Sequence, residues 1–431
     1  MEKAIELRDL LRVAKPKPLM GEDFDKFHVD TTEARGRDSA SILTDYFEVN
    51  MDEPQKVLFM GHQGSGKSTE LWKVTKNLEP HFWAVSFSIM DEVDHTDLNY
   101  VDLIFTILDN IMARAQEHGI DIEEHILDNL YSYWHDEHLM HTLNFEKVEI
   151  AATVEAKVGF LTAIRAKVKG VLSTGRETKK SVRKIIEPKL SQLVRGTNDL
   201  LTIIREALKK EGKVPIVIIE DLDKLNIPVA EDLFLNHRDI LTDLHVHTIY
   251  TFPIFLRYSG KFSEINSSFD KNELLSMIKV SNKDGSPNGT GISIIQEIVE
   301  RRAEPKLFEK DALRFIIEKS GGYLRDVFSV MLEAALIVRS KDRNAGFVTF
   351  ESSRMAYRGI KNDFERFIGA EHLSELKKLY DDPAKKPLPN QILMELLDRM
   401  AVIEYNGDMW CGIHPAVQEI IHDKIKAGTL G

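Results

Sequence analysis

Val57-Leu58-Phe59-Met60 followed by Gly61-His62-Gln63-Gly64-Ser65-Gly66-Lys67-Ser68 and then Thr69-Glu70-Leu71-Trp72-Lys73 is the stretch that decides how this chain folds. Four apolar residues in a row read as a buried strand. Thr69 onward is helix-prone, and the glycines between let backbone N–H groups curl around an anion. In that setting GHQGSGKS is a phosphate-binding loop. Lys67 is placed to reach the β- and γ-phosphates of a nucleotide, and Ser68 to offer its hydroxyl to Mg²⁺. Gly61, His62, Gln63, Gly64, Ser65, Gly66, Lys67, Ser68 and Thr69 are therefore the expected nucleotide-binding residues. ATP and Mg²⁺ are the expected ligands. A glycine turn without function is the bland alternative, and the strand before and helix after argue against it.

Outward from the loop, strands and helices alternate. Phe82 to Ser88 alternates and carries aromatic residues, Leu103 to Ala113 has helical spacing, and Val214 to Ile219 is continuously apolar. The last reads as a strand covered on both faces of a parallel sheet. Val246 to Phe252 is a further strand and Met277 to Val280 a short fifth. The pattern predicts a doubly wound α/β sheet. Ahead of it, residues 1–50 read as an N-terminal helix and an extended entry segment, Phe27 to Arg35, with Thr31 or Thr32 as helix cap. Lys67 and Glu220 lie 153 residues apart, more than a minimal sheet of this kind needs. A helical insertion at about 121–208 accounts for the excess within an α/β domain at 51–281. Beyond residue 281 the chain turns helical. Ile292 to Arg302, Lys310 to Lys319 and Leu324 to Arg339 read as a lid at 282–345. Residues 346–431 carry a helix at Gln391 to Met400 and then strand-like flanks around Asn406-Gly407, a strong hairpin signal. Helix followed by hairpin predicts a winged helix.

Composition narrows the function classes. At 431 residues the chain spans two to four domains. A single cysteine, Cys411, excludes an internal disulfide and a cysteine-rich zinc site, and fits a reducing cytosol. The first residues mix charges and lack a signal-peptide core, and no run of about 18 apolar residues occurs. A cytoplasmic protein without a membrane span is expected. Net charge is −12. Arg165 to Arg195 nevertheless holds ten Lys/Arg against Glu177 and Glu187, leaving the remainder near −20. A solvated helix face is the commoner meaning of such a run, with an acidic partner or nucleic acid as the other. It carries no aromatic residue for base stacking. His135, His138 and His141 recur at three-residue spacing, a weak metal signal without a fourth ligand.

Hydrolysis needs a metal ligand and a group to orient water. Glu220-Asp221-Leu222-Asp223 closes the apolar strand, which is expected to lie adjacent to the loop strand. Glu220 is assigned to Mg²⁺ together with Ser68, Asp221 to the attacking water, and Asp223 as a supporting or substitute carboxylate. The alternative is that the acids only cap the following turn. Thr251, ending the next strand, could touch the γ-phosphate or be structural. In Gly321-Gly322-Tyr323-Leu324-Arg325-Asp326 an arginine occupies the first turn of a helix, where the dipole disfavours a cation, so an anionic partner is expected. A surface pair with Asp326 or Glu333 is the alternative. Arg257 could act on a neighbouring subunit's phosphates, with Arg238, Arg301 and Arg302 competing for that role.

With these residues in place, the chain resembles the AAA+ and STAND group of P-loop ATPases, nearest to the branch shared with origin-recognition initiators. GHQGSGKS looks like Walker A, IVIIEDLD like Walker B, Thr251 like sensor 1 and Arg325 in GGYLRD like sensor 2. FHVDTTEAR is similar to the stretch that passes the adenine in that group. EYNGDMWCGIHP resembles the wing of a C-terminal winged helix found in many prokaryotic ATPases of this kind, several of them components of antiphage defence systems. The group usually has Asp-Asp or Asp-Glu where this chain has Glu220-Asp221, which puts fast turnover in doubt. The resemblance implies an ATP-hydrolysing switch whose nucleotide state controls homo-oligomer assembly and engagement of an effector or other protein partner. Two readings stand beside it: a DNA-binding initiator or loader using the winged helix and basic insertion, and a nucleotide-bound scaffold with little turnover. Against DNA, Pro387 to Met400 carries one base, Arg399, against Glu395 and Asp398, with Lys385 and Lys386 at its edge.

Overall fold

The computed structural model describes residues 1–93, 95–120, 176–405 and 410–429. Its centre is a five-stranded parallel sheet in the order β2-β3-β4-β1-β5. In chain order, α1 (Ser39–Val49) leads into β1 (Lys56–Gly61), α2 (Lys67–Leu78), β2 (Phe82–Ser88) and α3 (Tyr100–Glu117). Then come α4 (Arg176–Ile186), α5 (Leu190–Lys209), β3 (Val214–Glu220), β4 (His247–Pro253) and β5 (Lys271–Leu274). The four longer strands fall where the apolar runs place them. The fifth does not: β5 pairs with β1 at Val57↔Lys271 through Met60↔Leu274, upstream of Met277 to Val280. That later stretch is buried for another reason. Met277 packs with Tyr323, Ile403, Tyr405 and Trp410, while Ile278 and Val280 enter the lid core, so its apolarity reflects tertiary contacts rather than a ladder.

The sheet order corrects a second expectation. β4 lies between β1 and β3, so the acidic strand is not adjacent to the loop strand. Val214 to Ile219 is buried throughout, as a β-branched strand flanked on both sides should be. Leu43, Phe47, Leu71 and Val74 from α1 and α2 cover one face of the sheet. Ile104, Ile107 and Ile111 of α3 cover the other, with Leu200, Leu201 and Ile204 of α5. The end of the stretch read as an insertion is thus part of the core under the sheet. α1 starts where Asp38 accepts from Ser41 N at 3.0 Å, and α3 where Asn99 accepts from Asp102 N at 3.1 Å. In the entry segment Thr31 is the cap residue of the turn Thr32–Arg35, but its side chain makes no capping bond, and Asp30 accepts from Thr32 N at 2.9 Å. Thr31 Oγ1 instead accepts from Arg35 Nε at 2.8 Å.

Above the sheet stand α6 (Gly289–Arg302), α7 (Ala312–Lys319) and α8 (Leu324–Lys341), the expected lid helices. Leu7, Leu10 and Val13 of the N-terminal turns pack with them, against Val327 and Met331. α9 (Phe350–Phe367), α10 (Ala370–Asp381) and α11 (Gln391–Asp398) precede an antiparallel pair, β6 (Val402–Tyr405) and β7 (Trp410–Ile413), and α12 (Pro415–Lys426). Leu393, Leu396 and Leu397 of α11 join the same hydrophobic cluster as Leu256 and Tyr258, which follow β4. The C-terminal module is therefore seated on the sheet domain. The Asn406-Gly407 turn, the three spaced histidines and the front of the basic run lie outside the described residues. Among the described residues no helix is long and apolar enough to cross a membrane.

Candidate functional site

The loop leaves β1, doubles back through Gly64 and Gly66 at positive φ, and enters α2 at Lys67. Gly64 has a steric reason besides its φ of 71°. A Cβ there would lie 2.8 Å from the Tyr323 ring and 3.3 Å from Arg325, so the start of α8 presses directly on the loop tip. From below, the buried Arg35 guanidinium donates to Ser65 O at 2.6 Å and to Ser276 O. Burial lowers its pKa to about 10 and the nearby Glu70 opposes that, so it remains a cation under the loop backbone. α2 points its first-turn amides into the cleft.

Lys67 lies inside the loop. Its Nζ donates to Gly61 O at 2.8 Å and His62 O at 2.7 Å, and pairs with Asp223 Oδ2 at 2.9 Å, both side chains being nearly fully buried. Asp223, expected as a supporting or substitute carboxylate, is thus the acid that touches the lysine. The Ser68 hydroxyl lies beside the Glu220 carboxyl and favours its charged form, which brings the two expected metal ligands together. Burial pushes the Glu220 carboxyl up to about 7; the Ser68 hydroxyl opposes this, while Asp221 and Asp223 add to it. Asp221 sits at a left-handed φ of 69°. Its carboxylate accepts from Ser88 Oγ at 2.7 Å and pairs with Lys224 at 2.6 Å. No motif pointed to Ser88 or Lys224. Ser88 ends β2, the strand paired with β3, and sheet order alone identifies it.

Lys67, Ser68, Asp221, Asp223 and Arg325 line one open cleft of about 180 Å³. Pro16, Lys17 and Pro18 form its far wall, where the sequence placed Phe27 to Arg35. Leu19 N donates to Thr69 Oγ1 at 3.0 Å and so ties that wall to α2. Arg302 reaches the cleft with its guanidinium 4.4 Å from the Phe328 ring centroid, whereas Arg301 pairs with Glu297 on the surface.

Five candidate site residues have different surroundings. Thr251 is buried, its hydroxyl donating to Ile219 O at 3.1 Å and accepting from Leu222 N at 2.9 Å. It stitches β4 to the turn that carries the acids and does not reach the cleft. Arg257 pairs with the fully buried Glu404 of β6, which leaves it facing the C-terminal module rather than a neighbour. His62 is buried with Nε2 accepting from Glu404 N at 2.7 Å, and Gln63 lines a separate cleft beside Phe364 and Phe367. Arg238 is likewise committed, to Ser268 Oγ at 3.1 Å and to Leu235 O.

A parallel sheet with this loop at the end of β1, an acidic turn at the end of β3 and a helical lid pressing on the loop tip is a P-loop fold. No protein-family model matches the chain, and no curated protein matches it. Among solved structures the chain is similar to the Walker-type ATPase PABY2304 of Pyrococcus abyssi, at 13% identity over 95% of this chain and 99% of that one, with a TM-score of 0.45. It is also similar to the RuvB Holliday junction branch migration motor of Thermotoga maritima, at 12% identity over 96% of this chain and 98% of that one, with a TM-score of 0.35.

Proposed function

We propose that the chain binds ATP with Mg²⁺ and hydrolyses it, and that its nucleotide state acts as a switch. One observation carries this reading: a lysine and a hydroxyl of α2, two acids of the turn after β3 and an arginine of α8 line the same cleft, with the Glu220 carboxyl beside that hydroxyl. Ser68 and Glu220 fit Mg²⁺, because both are oxygen donors and the cation usually completes its shell with water and phosphate oxygens. A carboxyl held up near 7 by burial also gains most from a cation beside it. When bound, the metal would neutralise phosphate charge. Lys67 exchanges the carbonyls of Gly61 and His62 for phosphate oxygens. Asp221, released from Ser88 and Lys224, accepts a proton from the attacking water, and Arg325 balances charge on the transferred group from the lid side.

The finer reading is a switch that governs assembly of several copies and engagement of an effector or other protein partner, with prokaryotic antiphage defence as its setting. A protein partner suits the C-terminal module better than DNA. Lys385 Nζ is bound to Leu379 O and Tyr380 O, and Arg399 stands beside Asp398. Phosphate release by the purified protein should be Mg²⁺-dependent and should fall at least about a hundredfold in Lys67→Ala and Asp221→Ala. Equal rates in all three would sink the hydrolase reading, and ATP binding without turnover would leave the scaffold. Mass measurement with and without ATP tests assembly, and a mass that ATP does not change counts against it.

A further inference from the structure

The imidazole of His62 is buried and aimed away from the phosphate cleft, into the C-terminal module. Its Nε2 accepts from Glu404 N at 2.7 Å, across 342 residues of chain. That requires the neutral tautomer with the proton on Nδ1, an atom that is buried without a hydrogen-bond partner. β6 pairs with β7 on one side only, so Glu404 N–H belongs to an open strand edge, and the loop's imidazole closes it. The Glu404 carboxylate is held in turn by Arg257, which follows β4. The hairpin is therefore pinned between the sheet and the phosphate loop.

The backbone of the same residue is held by the lysine that a phosphate would engage. His62 O accepts from Lys67 Nζ at 2.7 Å and from Ser65 N at 3.2 Å. Lys67 spends its three N–H donors on Gly61 O, His62 O and Asp223, so a phosphate that engages it displaces at least one of them. A second link runs through the lid. Tyr405 OH donates to Gly321 O at 2.5 Å, and a Cβ on Gly321 would lie 2.8 Å from Pro415, so the turn into α8 fits closely against the module. Tyr323, which touches the loop tip at Gly64, packs with Ile403, Tyr405 and Trp410. The hairpin thus contacts both halves of the cleft, and neither contact uses a group that would touch nucleotide.

We infer that His62 is a positioning residue that couples phosphate-loop occupancy to docking of the β6–β7 hairpin. By linkage, nucleotide shifts the hairpin's seating and the hairpin's seating shifts nucleotide affinity by the same factor. The inference rests on the proposed ATP site, and two measurements separate them. One is binding of ATPγS with Mg²⁺ to the full chain. The other is amide hydrogen exchange of peptides covering residues 402–405 and 410–413, with and without that ligand. In the unaltered protein, exchange at 402–405 should change by about fivefold or more on ligand addition. His62→Gln keeps an acceptor near the Nε2 position and should retain the change. His62→Phe keeps a flat ring without an acceptor; it should bind ATPγS with altered affinity and show hairpin exchange that no longer responds. A response in His62→Phe equal to that of the unaltered protein overturns the coupling, as does ATPγS binding that leaves the unaltered hairpin unchanged. Failure of the unaltered protein to bind ATPγS overturns the ATP site, and the coupling with it.

Discussion

Arg257→Met tests the pair that joins the sheet domain to the C-terminal module. Glu404 is fully buried and its carboxylate is held by Arg257 through Oε1, while Oε2 has no hydrogen-bond partner. Removing the arginine leaves a carboxylate in a nearly dry site, a change that typically costs about 3–5 kcal/mol. That is a large part of the 5–15 kcal/mol that ordinarily holds a domain folded. Burial already raises the Glu404 pKa, and Arg257 is the first of the groups that oppose this. Without Arg257 the folded-state value rises further above the unfolded one. The folded protein then holds a proton that the unfolded chain releases, so stability is greatest below the unfolded value and is lost as pH rises through the folded one. The cost of Arg257→Met should therefore be larger at pH 8 than at pH 5 in urea unfolding. The double variant Arg257→Met/Glu404→Gln should recover about 2 kcal/mol or more at pH 8. A cost equal at both pH values, or a double variant no better than the single, refutes the buried-pair account. Loss of ATP turnover with stability intact would restore Arg257 to a role facing phosphates.

Thr251→Val should leave Leu222 N and Ile219 O without the hydroxyl between them, costing about 1–3 kcal/mol in urea unfolding. It should also slow phosphate release more than it weakens ATPγS binding, because the turn it holds carries the acids and not the loop. The Glu220 carboxyl, raised from 4.5 to about 7, contributes stability that is present below pH 4.5 and lost as pH rises through 7 when Mg²⁺ is chelated. The slope amounts to at most about 3 kcal/mol, and Glu220→Gln should remove it; an unchanged slope in thermal unfolding between pH 5 and 8 would count against the burial argument.

Residues that act through their neighbours in sequence were legible, and residues that act across the fold were not. Lys67, Ser68 and the loop glycines share one turn, and Glu220 and Asp221 end a strand whose apolar run is unmistakable. Arg325 could be read because a cation in the first turn of a helix is unfavourable without an anion, and it does line the cleft. Thr251 bonds a backbone 32 residues away, and Arg257 a carboxylate 147 residues away. Nothing in their local pattern distinguishes those partners from a phosphate. Ser88 carries no motif at all, and its hold on Asp221 follows from β2 lying beside β3.

By itself the sequence determined the strand–loop–helix unit, four of the five strands, the three helices beyond residue 281 and the acids at the end of β3, because each is a short-range pattern of apolar spacing, glycine or charge. Tertiary structure decided the remainder. It set β4 between β1 and β3, moved the fifth strand to Lys271–Leu274, and gave Lys67 to Asp223. It also turned His62 and Arg257 toward Glu404, 342 and 147 residues along the chain. The physical reason is that periodicity fixes which face of an element is buried, whereas the partner of a buried polar group is whatever the packing of whole modules brings within hydrogen-bond reach.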